Sequence, residues 1–441
     1  MNADARLAAR PSPSKELIAA NQKLTAKSLF QKLGPGLITG ASDDDPSGIA
    51  TYSQVGAQFG YGMLWTMVFT YPLMAAIQEI SARIGRVTGA GIAGNIRAYY
   101  PKLFLYTMVP LLLVANIFNL GADIGAMGAA FQLLIQGPRA LYIVLFGVFS
   151  LVLQIVVPYS KYVAYLKWLT LALFAYVATA FVAHVSWGQV IRGAFVPSLH
   201  SQSGFLTALI AVLGTTISPY LFFWQAGQEV EDVAANDAEQ PLKRSPREAP
   251  SQLSRIKVDT YAGMAFSNLI AFFIIVTTGA TLHAHGVLTV NTATEAAKAL
   301  EPLAGRFAFI LFAVGIIGTG LLAVPILAGS AAYGVGESLR WRASLEYKPG
   351  QARKFYWALA AATLIGLLLN FVGIDPIKAL FLSAVINGVV AGPIMAMVMV
   401  MACNRRVMGK FTLSMPLKLT GWLATGLMLA ASIGMFATLK R

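Results

Sequence analysis

Three consecutive aspartates followed by a proline interrupt an apolar stretch near the start of the chain. The stretch spans 34–52, reads GPGLITGASDDDPSGIATY, and places Asp43, Asp44 and Asp45 directly before Pro46. Proline lacks a backbone donor and disfavours helix at the preceding residue, so we expect a helix to break at Asp45. A carboxylate at a break inside a membrane-spanning helix is costly in lipid, which indicates a functional site.

A second break is expected far downstream, where residues 214–220 read GTTISPY inside the apolar run 205–223. A single proline in a membrane helix more often only kinks it. Two broken helices at corresponding places, however, are the best pointer in a sequence to the substrate site of a transporter. The pair therefore predicts that the two breaks meet and form a binding site near the middle of the membrane.

The side chains at the breaks are hard oxygen donors. Asp45 supplies one charge, and the hydroxyls of Thr215 and Ser218 add neutral oxygens together with the freed carbonyls. Oxygen donors match Mg²⁺, Mn²⁺ or Ca²⁺, and neither break carries Met, Cys or His. Small side chains leave room, which favours Mg²⁺ that keeps part of its water. The predicted metal-site residues are Asp45, Gly48, Thr215, Ser218 and Asn387.

Further polar residues are candidates for the site or for the paths to it. Asp43 and Asp44 touch the ion, cap the second half-helix or face water, and Glu229 is expected in a solvated gate or vestibule. Asp123 is open to two interpretations, a proton relay or an internal hydrogen bond. The metal or vestibule candidates are Asp43, Asp44, Tyr220 and Glu229, and the proton or ion pathway candidates are Asp123 and Glu79.

Composition indicates a polytopic membrane protein. The 441 residues are 57% hydrophobic and 12% charged, with a mean hydropathy of +0.65. One cysteine, Cys403, excludes an intrachain disulfide framework. The sequence predicts an all-α protein with eleven spans, at 34–57, 60–82, 104–136, 140–158, 161–186, 205–228, 258–282, 304–332, 354–372, 378–402 and 419–438.

The net charge of +14 reflects membrane topology and not nucleic-acid binding. If the N-terminus is inside and the spans alternate, 26 of the 33 Lys and Arg residues fall in inside segments. This bias predicts a multi-pass protein of the inner (plasma) membrane with a cytoplasmic N-terminus and an external C-terminus. We expect a monomer in the lipid bilayer, with no cofactor beyond the transported metal.

The broken spans are the first and the sixth, so two units of five spans follow one another. An odd number of spans per unit forces the second unit to be inverted, which is typical of secondary transporters. The sequence therefore predicts a cytoplasmic N-terminal segment, 1–33, and one transporter domain, 34–438. Within that domain the predicted repeats are 34–186 and 205–402, and 419–438 is an additional helix.

Four segments resemble the Nramp family of divalent-metal transporters. The family's first-span signature is a GPG opening followed by Asp-Pro-Gly-Asn, and GPGLITGASDDDPSG is similar to it. IQEISARIGRVTGAG, NLGADIGAMG and LGTTISPYLFF look like the second, third and sixth spans of that family. The resemblance implies a LeuT-type fold, with Asp45 and Pro46 on the family's metal-binding Asp-Pro.

Departures from the family pattern fall on its functional positions. Gly48 stands where the family has an Asn ligand, Ser218 where it has Met, and Tyr220 where it has His. Asp123 matches a family acid, but Ala126 replaces the Glu involved in proton transfer. The pattern looks like the Nramp-related magnesium transporter branch. It puts proton coupling in doubt, and loss of the thioether relaxes discrimination against Mg²⁺.

These observations predict a secondary transporter, not an enzyme, that imports Mg²⁺ and Mn²⁺ by alternating access with weak or absent proton coupling. Two alternatives use the same fold, a proton-coupled transition-metal transporter and an amino-acid transporter. The aspartates would repel the carboxylate of an amino acid and attract its amine. An intramembrane aspartyl protease would need Asp45 and Asp123 to share a proton, and the usual Gly-x-Gly-Asp motif is missing.

Overall fold

The structure is a computed structural model that describes residues 39–40, 42–157, 168–198, 204–236 and 239–439. Every regular element in those ranges is helical. The α-helices are α1 Pro46–Phe59, α2 Trp65–Thr88, α3 Ile92–Tyr99, α4 Lys102–Leu134, α5 Arg139–Val156, α6 Phe174–Val182, α7 Trp187–Phe195, α8 Phe205–Thr216, α9 Pro219–Ala235, α10 Ala249–Thr281, α11 Ala293–Lys298, α12 Glu301–Ala304, α13 Ala308–Ser338, α14 Arg353–Leu369, α15 Pro376–Cys403, α16 Arg405–Met408 and α17 Met415–Leu439.

Short 3₁₀ turns precede α6, α10 and α13 and follow α10, at Leu169–Leu173, Pro246–Glu248, Gly305–Phe307 and His283–His285. The predicted N-terminal segment 1–33 lies outside the described residues, as do the start of the first predicted span and residues 161–167 of the fifth.

Seven helical stretches in the described ranges are long and apolar enough to cross a membrane. They include α4, α5, α13, α15 and α17, the pair α8–α9, and α10 with its flanking 3₁₀ turns. The remaining predicted spans correspond to α1, to α2, to α6 and to α14, which are shorter or more polar. The helical, membrane-spanning architecture is confirmed, and the count of eleven spans stays a prediction.

The two broken helices lie at the centre of the packed bundle. The helix α1 packs against α8, α10 and α15, while the long helix α4 packs against α13, α14 and α15. Apolar side chains fill the spaces between these helices, and further apolar side chains remain exposed on α5 and α14. Because the exposed apolar residues lie on outward faces, they fit contact with lipid and leave the polar residues of the breaks inside.

A close backbone contact holds the second break against α15. A Cβ atom built on Gly214 would lie 2.1 Å from the carbonyl oxygen of Ala384 and 2.3 Å from the amide nitrogen of Gly388. Only glycine fits at residue 214, because any side chain would overlap the facing backbone. The contact places Asn387, which precedes Gly388, next to the end of α8.

Candidate functional site

The first helix break is present where the sequence predicts it. Asp45 is the N-cap of α1 in an extended conformation, with φ −69° and ψ 170°, and Pro46 is the first helical residue. The Asp45 carboxylate accepts a hydrogen bond from the Gly48 amide at 2.7 Å through Oδ1. A side-chain oxygen on an unpaired helix amide is the usual N-cap interaction, so the carboxylate is held at the break.

A chain of hydrogen bonds fixes the second carboxylate oxygen. The Asn119 amide on α4 donates to Asp45 Oδ2 at 2.8 Å. The Ser383 hydroxyl on α15 lies 2.7 Å from both Asn119 Oδ1 and the Leu380 carbonyl oxygen, so these two acceptors share its proton. All three side chains are at most 2% exposed. These hydrogen bonds connect α1, α4 and α15, and they orient the Asn119 side chain with its NH₂ group toward the Asp45 carboxylate.

Asn119 and Ser383 are functional candidates that sequence reasoning missed. A lone amide in a membrane helix usually indicates a contact that holds helices together, which is the role that Asn116 has through its bond to the Leu327 carbonyl at 3.1 Å. One signal was available in the sequence, since Asn119 stands four residues before Asp123 and therefore on the same helix face.

The second break meets the first. Ser218 is the N-cap of α9, and its hydroxyl donates to the carbonyls of Gly214 and Thr215, both at 3.0 Å. Tyr220, in the first turn of α9, donates to the Ser42 carbonyl at 3.3 Å and lies 3.5 Å from Asp45 Oδ2. The structure therefore brings the Tyr220 hydroxyl to the Asp45 carboxylate.

Thr215 reaches the first break from α8. A Cβ atom on Gly48 would lie 3.2 Å from Thr215 Oγ1, so this hydroxyl packs directly against the first turn of α1. The two prolines thus break their helices in the same place, and the predicted metal-site residues Asp45, Gly48, Thr215 and Ser218 are neighbours there.

Asn387 lies one helical turn after Ser383 on α15, so the two share a face. Its amide oxygen is buried and has no hydrogen-bond partner among the described residues. A buried acceptor without a donor is uncommon and calls for a ligand or water. The role of Asn387 in the metal site, directly or through water, stays a prediction.

Asp43 and Asp44 turn toward α10. The Ser267 hydroxyl contacts Asp43 Oδ2 at 2.8 Å and Asp44 Oδ1 at 3.1 Å. Both carboxyl groups are 1% exposed, and the second oxygen of each has no partner within the described ranges. The structure therefore places these aspartates beside the break and out of contact with water. Of the predicted alternatives it excludes a water-facing position, and contact with the ion stays a prediction.

Asp123 lies on α4 one turn after Asn119. It is fully buried, and neither carboxylate oxygen has a hydrogen-bond partner among the described residues. An aspartyl protease needs two carboxyl groups that share a proton. Because Asp123 has no hydrogen bond to Asp45, the structure gives no support to that alternative.

The break region concentrates buried carboxyl groups that have no basic partner among the described residues. The ion pairs of the described residues involve none of Asp43, Asp44, Asp45 and Asp123. Buried carboxylates are normally paired with a cation or coordinate a metal. Within the described ranges, no group of three or more His, Cys, Asp or Glu side chains is placed to hold a metal ion.

Glu79 and Glu229 lie away from the breaks and have basic partners. Glu79 pairs with Arg83 at 2.5 Å, and Glu229 on α9 pairs with Arg255 on α10 at 2.6 Å. Glu229 is fully buried, so the expectation of a solvated vestibule at this residue was wrong. Its ion pair replaces water as the partner of the carboxylate, and it joins two helices.

One cavity of about 640 Å³ lies elsewhere, between the end of α1, the helix α7 and the end of α10. The candidate site is instead tightly enclosed, since Asp45, Thr215, Ser218 and Asn387 are each at most 2% exposed.

Comparisons with known proteins agree with this geometry. The family model of the Nramp proteins, described as natural resistance-associated macrophage protein-like, matches residues 36–438. A mutant of the Eremococcus coleocola manganese transporter superposes with a TM-score of 0.75 at 18% identity, over 93% of this chain and 87% of that chain. The same transporter in complex with an aromatic bis-isothiourea substituted compound gives 0.70 at 18% identity, over 92% and 86%.

A second group of structures shares the fold. Mhp1, a nucleobase-cation-symport-1 family transporter, in a closed conformation with bromovinylhydantoin bound, gives a TM-score of 0.54 at 15% identity, over 92% of this chain and 93% of that chain. The likeness confirms the expected LeuT-type fold. Because the family model matches most of the chain, the protein belongs to the Nramp family of divalent-metal transporters, which are not enzymes.

Proposed function

We propose that this protein carries Mg²⁺, and also Mn²⁺, across the membrane in partly hydrated form by alternating access. One observation carries the proposal, namely that Asp45 presents a carboxylate held by two protein N–H groups, and none of the described basic side chains is paired to it. A dication supplies the missing charge. Oxygen donors without sulfur or imidazole at either break favour Mg²⁺ and Mn²⁺ over softer metals.

The hydrogen bonds that Asp45 already accepts from the protein favour an ion that keeps part of its water. Both of its carboxylate oxygens already accept protein N–H groups, from Gly48 and from Asn119. The remaining lone pairs of the Asp45 carboxylate can bind the ion once directly, or several times through its water molecules. Mg²⁺ releases its waters reluctantly, and those waters would donate to buried acceptors such as Asn387 Oδ1. The Eremococcus coleocola neighbour is a manganese transporter, which supports Mn²⁺ as a second substrate.

Weak or absent proton coupling follows from two replacements. Ala126 provides no carboxyl group on α4, and the Tyr220 hydroxyl is hydrogen-bonded to the first break in place of an imidazole. Neither residue exchanges protons near neutral pH.

Flux into proteoliposomes tests the proposal. We expect Mg²⁺ uptake by the wild type and loss of uptake in Asp45→Asn. The matched control is Asp375→Asn, because Asp375 also precedes a proline and caps a helix, α15, through its bond to the Ile377 amide at 3.0 Å. Absence of flux in the wild type, or undiminished flux in Asp45→Asn, would refute the proposal.

A proton-coupled transition-metal transporter is the second candidate. It is favoured by the buried carboxyl group of Asp123, which forms no hydrogen bond to a side chain among the described residues. A pH-sensitive dye inside the same vesicles separates the two, since metal-dependent acidification is expected only for the coupled transporter. Competition by amino acids in this assay would instead support an amino-acid transporter on the same fold.

The setting in the cell forms part of the proposal. We place the protein in the inner (plasma) membrane as a monomer, with 1–33 in the cytoplasm and the C-terminus outside. Inverted repeats at 34–186 and 205–402, followed by the additional helix at 419–438, would allow the two breaks to open to either side in turn.

A further inference from the structure

A small cavity lies at the basic end of the molecule, between the end of α5 and the start of α14. Its volume is about 330 Å³, and its walls are Ile155, Pro349, Gly350, Arg353, Tyr356, Trp357 and Ala360. The lining combines one cation with two amphipathic aromatic residues and apolar side chains, and it contains no acidic residue. Such a mixture suits a ligand that has an anionic head and an apolar body.

The cavity adjoins a surface that faces lipid. The Trp357 side chain is 74% exposed on α14, and Val152 and Val156 on α5 are 51% and 70% exposed. Apolar residues this exposed on membrane helices contact acyl chains. Tryptophan is enriched at the height of the lipid head groups, where its ring is partly apolar and partly hydrated. These exposed residues therefore place the cavity at the depth in the bilayer where the lipid head groups meet the acyl chains.

Several features of the cavity favour an anion. The 17-residue helix α14 begins after Ala352, which provides no side-chain cap for the first amides. Arg353 is exposed and pairs with no acid among the described residues, and a Cβ atom on Gly350 would meet nothing within 4 Å. An uncapped helix N-terminus beside a guanidinium group binds phosphate well.

The charge around the cavity has the same sign. Residues 340–354 hold five Lys or Arg residues and one acid, Glu346. Basic pockets between membrane helices on the cytoplasmic side attract anionic head groups, and this end of the molecule is the one that the charge distribution predicts to be cytoplasmic.

We propose that this cavity binds the phosphate of an anionic phospholipid, with Arg353 and the start of α14 on the head group and Trp357 beside an acyl chain. The apolar wall distinguishes a lipid from free phosphate, because a soluble anion would gain nothing from Ile155 and Ala360. The site is separate from the ion site at the breaks, so it does not depend on the proposed substrate.

Fluorescence quenching by brominated lipids tests the proposal on the full chain. Proteoliposomes of phosphatidylcholine receive the same minor fraction of either brominated phosphatidylglycerol or brominated phosphatidylcholine. The difference in quenching between wild type and Trp357→Phe isolates this residue from the other six tryptophans. We expect about fivefold stronger quenching of Trp357 by the anionic lipid, the ratio that roughly 1 kcal/mol per basic residue gives.

Two variants and a competition with inorganic phosphate test whether the lipid preference arises at this cavity. Arg353→Gln should reduce the quenching to the level of phosphatidylcholine. Lys418→Gln removes one exposed basic residue from the start of α17, away from the cavity, and should retain the preference. Equal quenching by both lipids in the wild type, or an unchanged preference in Arg353→Gln, overturns the proposal. Loss of the preference in millimolar inorganic phosphate overturns the lipid assignment in favour of a soluble anion.

Discussion

At the scale of single residues, Asn119 holds the carboxylate of Asp45 through a hydrogen bond, and the proposed ion site depends on that orientation. We predict that Asn119→Ala raises the Mg²⁺ concentration needed for half-maximal uptake by roughly tenfold, since a hydrogen bond to a charged group contributes about 1.5–3 kcal/mol. Without the amide, Asp45 Oδ2 loses the donor that lies 2.8 Å away, and the carboxylate rotates more freely. Concentration-dependent uptake into proteoliposomes measures the change.

Asn116→Ala is the matched control for this prediction. Asn116 is also a buried amide on α4, but it donates to the Leu327 carbonyl and not to Asp45. We expect a loss of stability without a change in the half-saturating concentration. Similar uptake curves for the wild type and Asn119→Ala would show that the amide does not position the carboxylate.

Gly48 sets the spacing between the two breaks. We predict that Gly48→Ala reduces Mg²⁺ uptake, because the new methyl group would lie 3.2 Å from Thr215 Oγ1 and 3.4 Å from the Asp43 carbonyl oxygen. Overpacking of this kind costs about 1–3 kcal/mol and displaces the two breaks. Gly426→Ala, on α17, adds the same methyl group to a helix where nothing lies within 4 Å. Equal uptake by both variants would contradict the assigned role of Gly48.

Single residues also show where prediction from the sequence succeeds. The break at Asp45 follows from local rules, since a proline acts on the residue before it and an aspartate caps the helix that begins there. The partner of Asn119 depends on how α4 packs against α1, which no local rule specifies. The same holds for Ser267, whose contact with Asp43 joins residues 224 positions apart.

At the scale of helices, two arginines on neighbouring helices form ion pairs with acidic residues of α9. Arg255 on α10 pairs with the buried carboxylate of Glu229, and the fully buried Arg86 on α2 pairs with Asp232 at 2.9 Å and with Glu239. We predict that Arg255→Gln lowers the thermal stability of the purified protein by the equivalent of about 3 kcal/mol, because it leaves Glu229 buried and unpaired.

An exposed ion pair provides the comparison. Arg139 and Asp375 are 3.6 Å apart with both side chains partly exposed, so Arg139→Gln should cost at most about 1 kcal/mol. The double variant Arg255→Gln with Glu229→Gln should recover stability relative to Arg255→Gln alone, since it removes the unpaired charge. Equal melting temperatures of the two single variants would contradict the assigned importance of the buried pair.

The helices also show the limits of hydropathy. The long apolar helices α4, α5, α13 and α15 coincide closely with predicted spans, because their composition alone distinguishes them. The predicted span at 60–82 begins too early, since residues 60–64 form turns and α2 starts at Trp65 and continues to Thr88. Its last turns carry Arg83 and Arg86, whose charges are compensated by partners that only the folded structure supplies.

At the scale of the whole molecule, the residues of the candidate site are at most 2% exposed, and we infer that two sets of contacts close it, one on each side. One end carries the ion pairs of Arg86 and Arg255, and toward the other end the rings of Phe59 and Phe205 meet edge to face at 5.9 Å. A transporter that alternates must open one closure while the other holds. The two closures use different interactions, so each can be weakened without changing the other.

Cysteine labelling tests this arrangement directly, because the native chain has one cysteine, Cys403, that serine can replace. In that background Ser47→Cys introduces a thiol beside Asp45 at a residue that is 1% exposed, so we expect slow modification from either side of the membrane. Arg86→Gln should accelerate modification by about tenfold from the side of the ion pairs only, as a shift of 1.4 kcal/mol between two conformations would. Phe205→Ala should accelerate it from the opposite side only. If both variants accelerated labelling from the same side, or neither changed it, the two closures would not be the alternating gates of the site.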